Sequence, residues 1–520
     1  MRNDPGRRFG LAPALHRPLT AARHLLFLGA LLAALLAAGC GSPSPRPGAS
    51  PEAFRAYFDA QIPAWMDAAG VPGAAVAVVE NGRPAWSRAY GVADRASGRR
   101  MTPSTVFRVE SISKSVTAWG VMKQVEEGNL ALDDPVSDHL QTWHLPDYSD
   151  EPQRVTIRRL LSHTAGLARG PIGEEYAPGA PVPDLRIHLS RAVRFADAPG
   201  AGFRYSNAGF NLLQLLLEDV TGRAFADYMR DALLTPLGMH HARFQGSDSL
   251  FAALPTGYER TGAPVAPYVY PAVASGGLYA SVEDVARFVA AEVIGPFPEQ
   301  PVLRRETIRA MHEPVVEVRG LFGFVADAYA LGHFVETLPD GRRAVWHGGQ
   351  GHGWMTHFHA VPASGDGIVI LTNSERAWPL MARILDAWAT WIGAGSVGMS
   401  IITDATVALQ GLTVLLALLV LGGTARLVWG LRTGARRVHP LAGQARAARI
   451  GEALLGMALL AGLAWAALQP YLFVTSIFPT TVGWAAAVLA GLGLLFLARA
   501  LCPRQTLVQR PTHPETPETG

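Results

Sequence analysis

The chain has 520 residues, of which 49% are hydrophobic, and its 45 basic and 42 acidic side chains leave a net charge of +3. This length predicts more than one structural unit, with ample chain for a buried core. No stripe of basic and aromatic residues is present, which excludes a nucleic-acid partner. The two cysteines, Cys40 and Cys502, lie at opposite ends of the chain, which argues against a structural disulfide.

Residues 1–40 have the composition of an export signal. Five arginines precede an apolar run from Leu25 to Ala38 that is too short for a membrane span, and small residues lead up to Cys40. The ending Ala-Ala-Gly-Cys resembles the bacterial lipoprotein box, so Cys40 is a candidate for lipidation; plain cleavage and an uncleaved anchor are the alternatives. Residues 41–50 read as a flexible linker.

Residues 51–392 form the predicted soluble unit. Apolar residues at helical spacing predict an opening helix, and two strand-like runs follow, joined by the Asn-Gly signal of a tight hairpin at Asn81. The middle, residues 111–289, reads as mostly helical. Strand-like runs return at 322–337, 343–346, 354–360 and 367–372, before a last helix from Glu375 to Ile392. We therefore predict an α/β (α+β) fold, with one antiparallel sheet built from both ends of the unit, flanked by helices, and a helical subdomain beside it.

Residues 393–502 carry long stretches without charge. One runs from Ala405 to Thr424, and another, from Ala453 to Ala498, is interrupted near Pro470 and Pro479. Each uncharged segment approaches the ~20 residues that a bilayer requires, which predicts three transmembrane helices.

The loop between the first two predicted spans is rich in arginine, whereas the connection between the second and third has no positive charge. The positive-inside rule then makes the arginine loop and the tail, residues 503–520, cytoplasmic. The predicted location is the bacterial inner membrane, with the unit 51–392 on the periplasmic side and membrane lipid as a partner of the arginines.

The chain has only two lysines, Lys114 and Lys123, and Lys114 stands three residues after Ser111. Arginine cannot lose its proton at accessible pH, whereas a desolvated lysine can, so a retained lysine suggests a role for a neutral amine. Positions i and i+3 share one face of a helix, so Lys114 is placed to activate Ser111 as a nucleophile. A lone Ser-x-x-Lys is nevertheless a weak signal.

Two further motifs accompany it. Phe203–Asn207 supplies a tyrosine and an amide two residues apart, and Trp346–Gln350 supplies a basic residue followed by glycines. Order and spacing of the three motifs resemble those of the penicillin-binding proteins and class C β-lactamase-related serine hydrolases. The resemblance covers nearly all of the exported unit and none of the membrane part, and it implies a β-lactamase/transpeptidase-like fold.

The resemblance also implies roles for individual residues. Ser111 would be the acylated nucleophile, Lys114 would take or relay its proton, and Tyr205 would act with Lys114 as general base and then protonate the leaving group. The remaining predicted site residues would bind substrate or complete the oxyanion hole, with the backbone N–H groups of Ser111 and Gln350 as its donors: Asn207, His347, Gly349 and Gln350. Asn207 would bond the substrate or hold Lys114, and no cofactor is implied.

The predicted function is therefore a membrane-anchored serine hydrolase that cleaves an ester or amide of a small-molecule or peptide substrate. β-Lactamases of this class usually carry lysine where this chain has His347, and histidine is a weaker, pH-dependent cation for a substrate carboxylate. A true β-lactamase and a sensor that stays acylated remain the alternatives. A metal site at the histidines between His347 and His359 is not expected, because no acidic or cysteine cluster accompanies them. Glu110 reads as a solvated or salt-bridged helix-start acid.

Overall fold

The structure is a computed structural model that describes residues 45–146, 154–170, 174–293, 300–439, 446–469 and 473–503. The predicted export signal with Cys40, and all but the first residue of the predicted tail, lie outside the described residues.

An antiparallel sheet of eight strands forms the centre of the predicted soluble unit, residues 51–392, which is the candidate catalytic region; the strand order is β2-β1-β12-β11-β10-β9-β8-β7. The strands are β1 (Gly73–Glu80), β2 (Arg83–Gly91), β7 (Val316–Glu317), β8 (Ala328–Tyr329), β9 (Phe334–Thr337), β10 (Arg343–Gly351), β11 (Trp354–Val361) and β12 (Asp366–Thr372), with two short pairs outside the sheet, β3 (Val106–Arg108) with β6 (Tyr279–Ser281) and β4 (Gly257–Tyr258) with β5 (Pro264–Val265). Ala74 of β1 pairs with Thr372 of β12. The prediction of one antiparallel sheet built from both ends is confirmed.

The β1–β2 hairpin turns where the sequence predicts it. Asn81 and Gly82 both have positive φ, 51° and 69°. Two central residues in this region make the turn whose twist matches that of paired strands, and Asn and Gly reach it at the least steric cost.

Helices cover both faces of the sheet. One face packs against α1 (Pro51–Ala69) and α10 (Trp378–Trp391), and the other against a helical layer. The helices between them are α2 (Ile112–Glu126), α3 (Ile157–Leu161), α4 (Leu185–Ala192), α5 (Asn207–Thr221), α6 (Phe225–Met229), α7 (Asp248–Ala253), α8 (Val282–Glu292) and α9 (Arg305–His312), with a π-helical segment at Arg230–Leu234 and 3₁₀ segments at Val136–Asp138 and Gly320–Phe324. Successive residues of β1 point to opposite faces of the sheet, as in any strand. Ala75 thus packs in the core beneath the helical layer, and Val76 packs in the core formed with α1 and α10.

Local boundaries differ from the predictions in two places. The strand-like run 322–337 is divided among a 3₁₀ segment, β8 and β9. The last helix starts at Trp378, three residues later than predicted, because the Glu375 backbone and carboxylate bond to Tyr258 and Gly353 and draw this segment out of the helix. Such side-chain to backbone bonds compete with helix formation.

Beyond the catalytic region follow α11 (Ile401–Arg432, preceded by a 3₁₀ turn at Gly398–Ser400), α12 (Arg446–Ala467), α13 (Phe473–Ile477) and α14 (Val482–Leu501). Among the described residues, three of these helical segments, Gly398–Arg432, α12 and α14, are long and apolar enough to cross a membrane. The short α13 lies against the catalytic region, where Arg260 donates a hydrogen bond to Thr475. The connection between the second and third spans is therefore at the same end of the helices as the catalytic region.

Candidate active site

The turn between β3 and α2 presents Ser111 at the amino end of the helix. Glu110, just before it, has a φ of 52°, a conformation that non-glycine residues rarely adopt. The Ser113 hydroxyl holds this turn, because it donates to the Glu110 carbonyl at 2.5 Å and accepts from the Leu278 amide at 3.0 Å. Local strain that the surroundings hold in place is typical of reactive sites.

Lys114 lies one helical turn below the nucleophile. Its Nζ is 3.0 Å from Ser111 Oγ and donates to the Ser275 carbonyl at 2.6 Å. The side chain is 0% exposed, and this burial holds the pKa of the amine well below its usual value, with Arg169 lowering it further and Glu110 opposing the shift. The structure thus brings a serine hydroxyl together with an amine that has lost much of its affinity for a proton.

Tyr205 completes the group on the other side of Ser111. A hydrogen bond joins its phenol to Ser111, and the Lys114 amine lies 4.9 Å from the centre of its ring. Burial raises the pKa of Tyr205 above its usual value, so the phenol keeps its proton near neutral pH.

His163 supports Tyr205 from below. Its ring centre lies 4.4 Å from that of Tyr205, and its Nδ1 accepts a hydrogen bond from the Ser206 amide at 3.2 Å. Burial holds the pKa of His163 well below its usual value. The neutral ring therefore packs beneath the phenol without adding a charge beside Lys114.

Asn207 begins α5, where the Ser206 hydroxyl caps the helix by accepting from Gly209. The backbone N–H of Asn207 donates a hydrogen bond to the Arg169 carbonyl at 2.9 Å. Among the described residues, the hydrogen-bond partners of Lys114 Nζ are Ser111 and the Ser275 carbonyl. The Ser275 carbonyl therefore holds Lys114 in this structure. Holding Lys114 was one of the two roles predicted for Asn207.

Strand β10 forms the wall opposite α2. β9 pairs with Arg343–Trp346 only, so His347–Gly351 pair with β11 alone among the described strands. A Cβ at Gly349 would collide with the Val109 carbonyl and the Thr356 hydroxyl, which already bond to each other at 2.7 Å. Glycine is thus required for the nucleophile turn to pack on β10, and this packing brings Gln350 to the same edge.

His347 occupies the start of that edge but is only 1% exposed. Its Nδ1 donates to the Gly348 carbonyl at 2.8 Å, and its Nε2 lies 3.3 Å from the Tyr329 hydroxyl. Burial, with a further contribution from Lys114, holds the pKa of His347 well below its usual value. The ring is therefore neutral near pH 7. It offers a substrate carboxylate less positive charge than the weak, pH-dependent cation expected from the sequence.

Glu110 is salt-bridged and 3% exposed, which removes the solvated alternative of the sequence analysis. Its carboxylate accepts from Arg108 Nε at 3.0 Å, from the Tyr268 hydroxyl at 3.1 Å and from the Tyr270 hydroxyl at 3.0 Å. A Cβ at Gly351 would strike the same carboxylate. Because every oxygen is occupied, Glu110 is placed to fix the nucleophile turn against β10 and not to transfer protons.

A second buried charge cluster lies where α2, α8 and α9 meet. Glu292 accepts from His312 Nε2 at 2.5 Å, from His333 Nε2 at 3.0 Å and from Trp119 Nε1 at 2.6 Å. His333 Nδ1 lies 3.0 Å from the Leu331 carbonyl, so hydrogen-bond acceptors face both of its ring nitrogens. The three acidic and histidine side chains lie close enough to hold a metal ion, but these hydrogen bonds account for their arrangement.

The groups that support the catalytic candidates were not predicted from the sequence. Ser275 acts through its backbone carbonyl, and Arg169 contributes a charge whose carbon Cζ lies 5.9 Å from the centre of the Tyr205 ring. The Gly276-Gly277 pair after Ser275 was the signal available: a Cβ at Gly277 would collide with Val273, so glycine is needed for the loop to fold back at this point.

The comparisons with known proteins agree with this site. The Beta-lactamase family model matches residues 58–387, from α1 to within α10. The chain is 26% identical over 311 residues to Protein flp of Staphylococcus aureus (58% of this chain, 60% of that protein), and 30% identical over 325 residues to penicillin-binding protein 4 of Amycolatopsis lactamdurans (58% and 81%). It thus spans about 60% of the length of the first of these relatives.

Among solved structures, the octameric penicillin-binding protein homologue from Pyrococcus abyssi superposes with a TM-score of 0.56 at 24% identity, covering 66% of this chain and 79% of that one. This likeness shows the fold, and the family match covers more than half of the chain. The chain therefore belongs to the beta-lactamase family of serine hydrolases and penicillin-binding proteins.

Proposed function

We propose that the protein is a membrane-anchored serine hydrolase that cleaves an ester or amide bond through an acyl-enzyme on Ser111. The observation that carries this proposal is the fully buried Lys114 amine, 3.0 Å from Ser111 Oγ, with its pKa held well below the usual value. The nearest carboxylate, Glu110, is already bonded to Arg108 and two tyrosines. A lysine held this way is a base for a serine hydroxyl.

In the acylation step, Ser111 Oγ attacks the carbonyl carbon while its proton passes to Lys114 Nζ. The oxyanion accepts hydrogen bonds from the backbone N–H groups of Ser111 and Gln350. When the tetrahedral intermediate collapses, the Tyr205 phenol protonates the leaving oxygen or nitrogen and regains a proton from Lys114. Water then attacks the acyl-enzyme with Lys114 and Tyr205 taking its proton, and the acid product leaves with Ser111 restored.

The neutral, buried His347 supports esters or amides, including amides of D-amino-acid type, over β-lactams as preferred substrates. β-Lactams present a carboxylate, and a neutral imidazole gives it no ionic partner. A sensor that is acylated and does not turn over, and a true β-lactamase, are the competing functions. The name of the relative penicillin-binding protein 4 supports testing both.

Labelling with a fluorophosphonate probe tests the nucleophile, because the probe forms a stable adduct with an activated serine. Ser111→Ala should abolish both labelling and hydrolysis. Ser115→Ala is the matched control: its hydroxyl lies in the same helix and bonds to the Gly332 carbonyl at 2.7 Å, so labelling should persist. Labelling that survives in Ser111→Ala contradicts the proposal.

Turnover separates the competing functions. We expect many product molecules per enzyme with a short-chain ester or a D-amino-acid amide, and slow or no turnover of a cephalosporin. One stable adduct per chain with every substrate would instead support the sensor.

We also propose that the catalytic region lies outside the bacterial inner membrane. The arginines near Arg436 support a cytoplasmic first loop, and the contact of Arg260 with Thr475 supports a second connection on the catalytic side. A reporter fused near Arg436 should be active only as a cytoplasmic fusion, and one fused after Ile392 only as an exported fusion. The reverse pattern contradicts this placement.

A further inference from the structure

Two exposed apolar side chains, Leu321 and Phe324, stand at one margin of the active site, and we call them the apolar lip. Each is 66% exposed, more than any other large apolar side chain in the described part of the catalytic region. Both lie on the 3₁₀ segment Gly320–Phe324. Between them, Phe322 turns inward and stacks on Tyr205, with ring centres 5.9 Å apart. The lip is thus continuous with the wall of the catalytic site.

The lip also lies beside the start of the first candidate membrane span. Gly398, where that span begins, packs against the carbonyl of Val325, the residue after Phe324. The Gly398 amide donates a hydrogen bond at 2.6 Å to the carboxylate of Glu336, which lies on β9. Leu321 and Phe324 are therefore attached to the point where the chain turns towards the membrane.

The distance from this point to the hydrocarbon is short. The uncharged run begins at Ala405, seven residues after Gly398, which is roughly 10 Å at the rise of a helix. The headgroup layer extends about 5–7 Å beyond the hydrocarbon on each side. Gly398 and the lip beside it therefore lie within reach of the lipid headgroups.

We propose that Leu321 and Phe324 insert into the headgroup layer of the bilayer that holds α11, and that the site takes amphiphilic esters or amides whose acyl chains come from that layer. The substrate part of this inference rests on the proposed hydrolase function. Apolar side chains that insert at the boundary of headgroups and acyl chains gain affinity from the area they bury. A substrate lying in the same layer would reach Ser111 past the lip, with its acyl chain against Leu321 and Phe324.

Insertion is tested on the full chain in vesicles of phosphatidylethanolamine and phosphatidylglycerol. In a Cys40→Ser, Cys502→Ser background, Phe324→Cys carries an NBD fluorophore, and quenching by lipid with a nitroxide near the headgroup is measured. Ala224→Cys is the control, because it is exposed beyond the far end of α5, about 22 Å along the helix from Asn207. We expect a blue-shifted emission and at least about threefold stronger quenching at position 324. Equal quenching at the two positions overturns the proposal.

The substrate class is tested by the ratio of two rates, hydrolysis of p-nitrophenyl palmitate within vesicles and of p-nitrophenyl acetate in solution. The double variant L321S/F324S should lower this ratio at least about tenfold, because lost apolar contact selectively weakens the long chain. Ile187→Ser should keep the wild-type ratio; Ile187 is 49% exposed, the next most exposed large apolar side chain in the described part of the catalytic region. An unchanged ratio in the double variant overturns the substrate class. If the wild type hydrolyses neither ester, the proposed function fails, and quenching still decides whether the lip inserts.

Discussion

Two neighbouring groups of buried ionisable residues are treated in opposite ways. Arg108 bonds to Glu110, and Glu292 bonds to His333 and His312, so the charges of Arg108 and Glu292 each have a partner. Lys114 and His347 are as deeply buried but have no carboxylate partner in the part of the chain that the structure describes, and burial holds both their pKa values well below the usual range. The charges of Arg108, Glu110 and Glu292 are kept by their partners and stabilise the fold. Lys114 and His347 are neutral and can accept protons. Because no carboxylate among the described residues pairs with Lys114, its buried amine can lose its proton, and this makes Lys114 a candidate base.

The strongest test removes the neutral amine. Lys114→Arg and Lys114→Met should each lower turnover by about a thousandfold or more, because neither side chain can accept the Ser111 proton. Lys123→Arg is the matched control, since the other lysine pairs with Glu127 at 3.3 Å near the end of the same helix, and its activity should stay near wild type. Steady-state ester hydrolysis provides the measurement. Near-normal turnover by Lys114→Arg would show that position 114 supplies only charge.

The opposite result is expected for stability. Glu292→Gln should lower the free energy of unfolding by about 3–5 kcal/mol, because three buried donors, on His312, His333 and Trp119, lose the carboxylate that accepts from them. Lys114→Met should cost about 1 kcal/mol, since only hydrogen bonds of a neutral amine are lost. Thermal or denaturant unfolding of the full chain in detergent measures both. Equal losses would erase the distinction between the paired and unpaired groups.

The shifted pKa values of Glu292 and His347 predict how the stability of the wild-type protein depends on pH. Glu292 has a pKa lowered to about 2, so its contribution is fully present above the usual glutamate pKa of 4.5 and is lost as the pH falls towards 2. His347 acts in the same direction at higher pH: its native pKa is lowered, so the unfolded chain binds an extra proton and stability starts to fall below about pH 6.5. Glu292→Gln should flatten the acidic part of this profile only.

Glu110→Gln keeps the shape of the side chain and removes its charge, and its effect on activity should be smaller than that of Lys114→Arg. We expect a loss of about 3–5 kcal/mol in stability, as for Glu292→Gln, because the buried Arg108 guanidinium is left without its charged partner. The Glu110 charge raises the pKa of Lys114, so its removal should move the acid limb of the kcat/KM profile to lower pH. Glu127→Gln is the control, because its carboxylate lies at the far end of α2. An acid limb that stays in place would show that Glu110 acts only on the fold.

The smallest effect is expected at His347. His347→Lys should improve the KM for a cephalosporin by about threefold while leaving that for a neutral ester unchanged, because only the cephalosporin carries a carboxylate. The gain is limited, since the new amine would be buried close to Lys114 and would itself lose charge. Efficient nitrocefin turnover by the unmodified protein would restore the β-lactamase interpretation.

The sequence predicted those parts of the fold that follow from local patterns. Alternating apolar residues and the Asn81-Gly82 turn specify the first hairpin, and uncharged stretches of about 20 residues specify the three long apolar helices. The pairing of Ser111 with Lys114 was predictable because a helix fixes the geometry of residues three apart.

The supporting groups could not be predicted because they come from distant parts of the chain. Tyr268 and Tyr270 reach Glu110 across 158 and 160 residues. Ser275 contributes a backbone carbonyl, which every residue possesses and no side-chain pattern reveals. The burial of His347 depends in the same way on Tyr329, since only the packed fold shows that this histidine is out of water.

The sheet built from both ends has a consequence for the order of assembly. β1 is the first strand of the sheet to be synthesised, yet one of its two neighbours, β12, is the last. The Val109 carbonyl beside the nucleophile likewise meets Thr356 across 247 residues. Closing such long loops is slow, because chain entropy must be lost before any contact forms. Ser111 can therefore become reactive only after β10 and β11 have been synthesised, when most of the chain before α11 is complete.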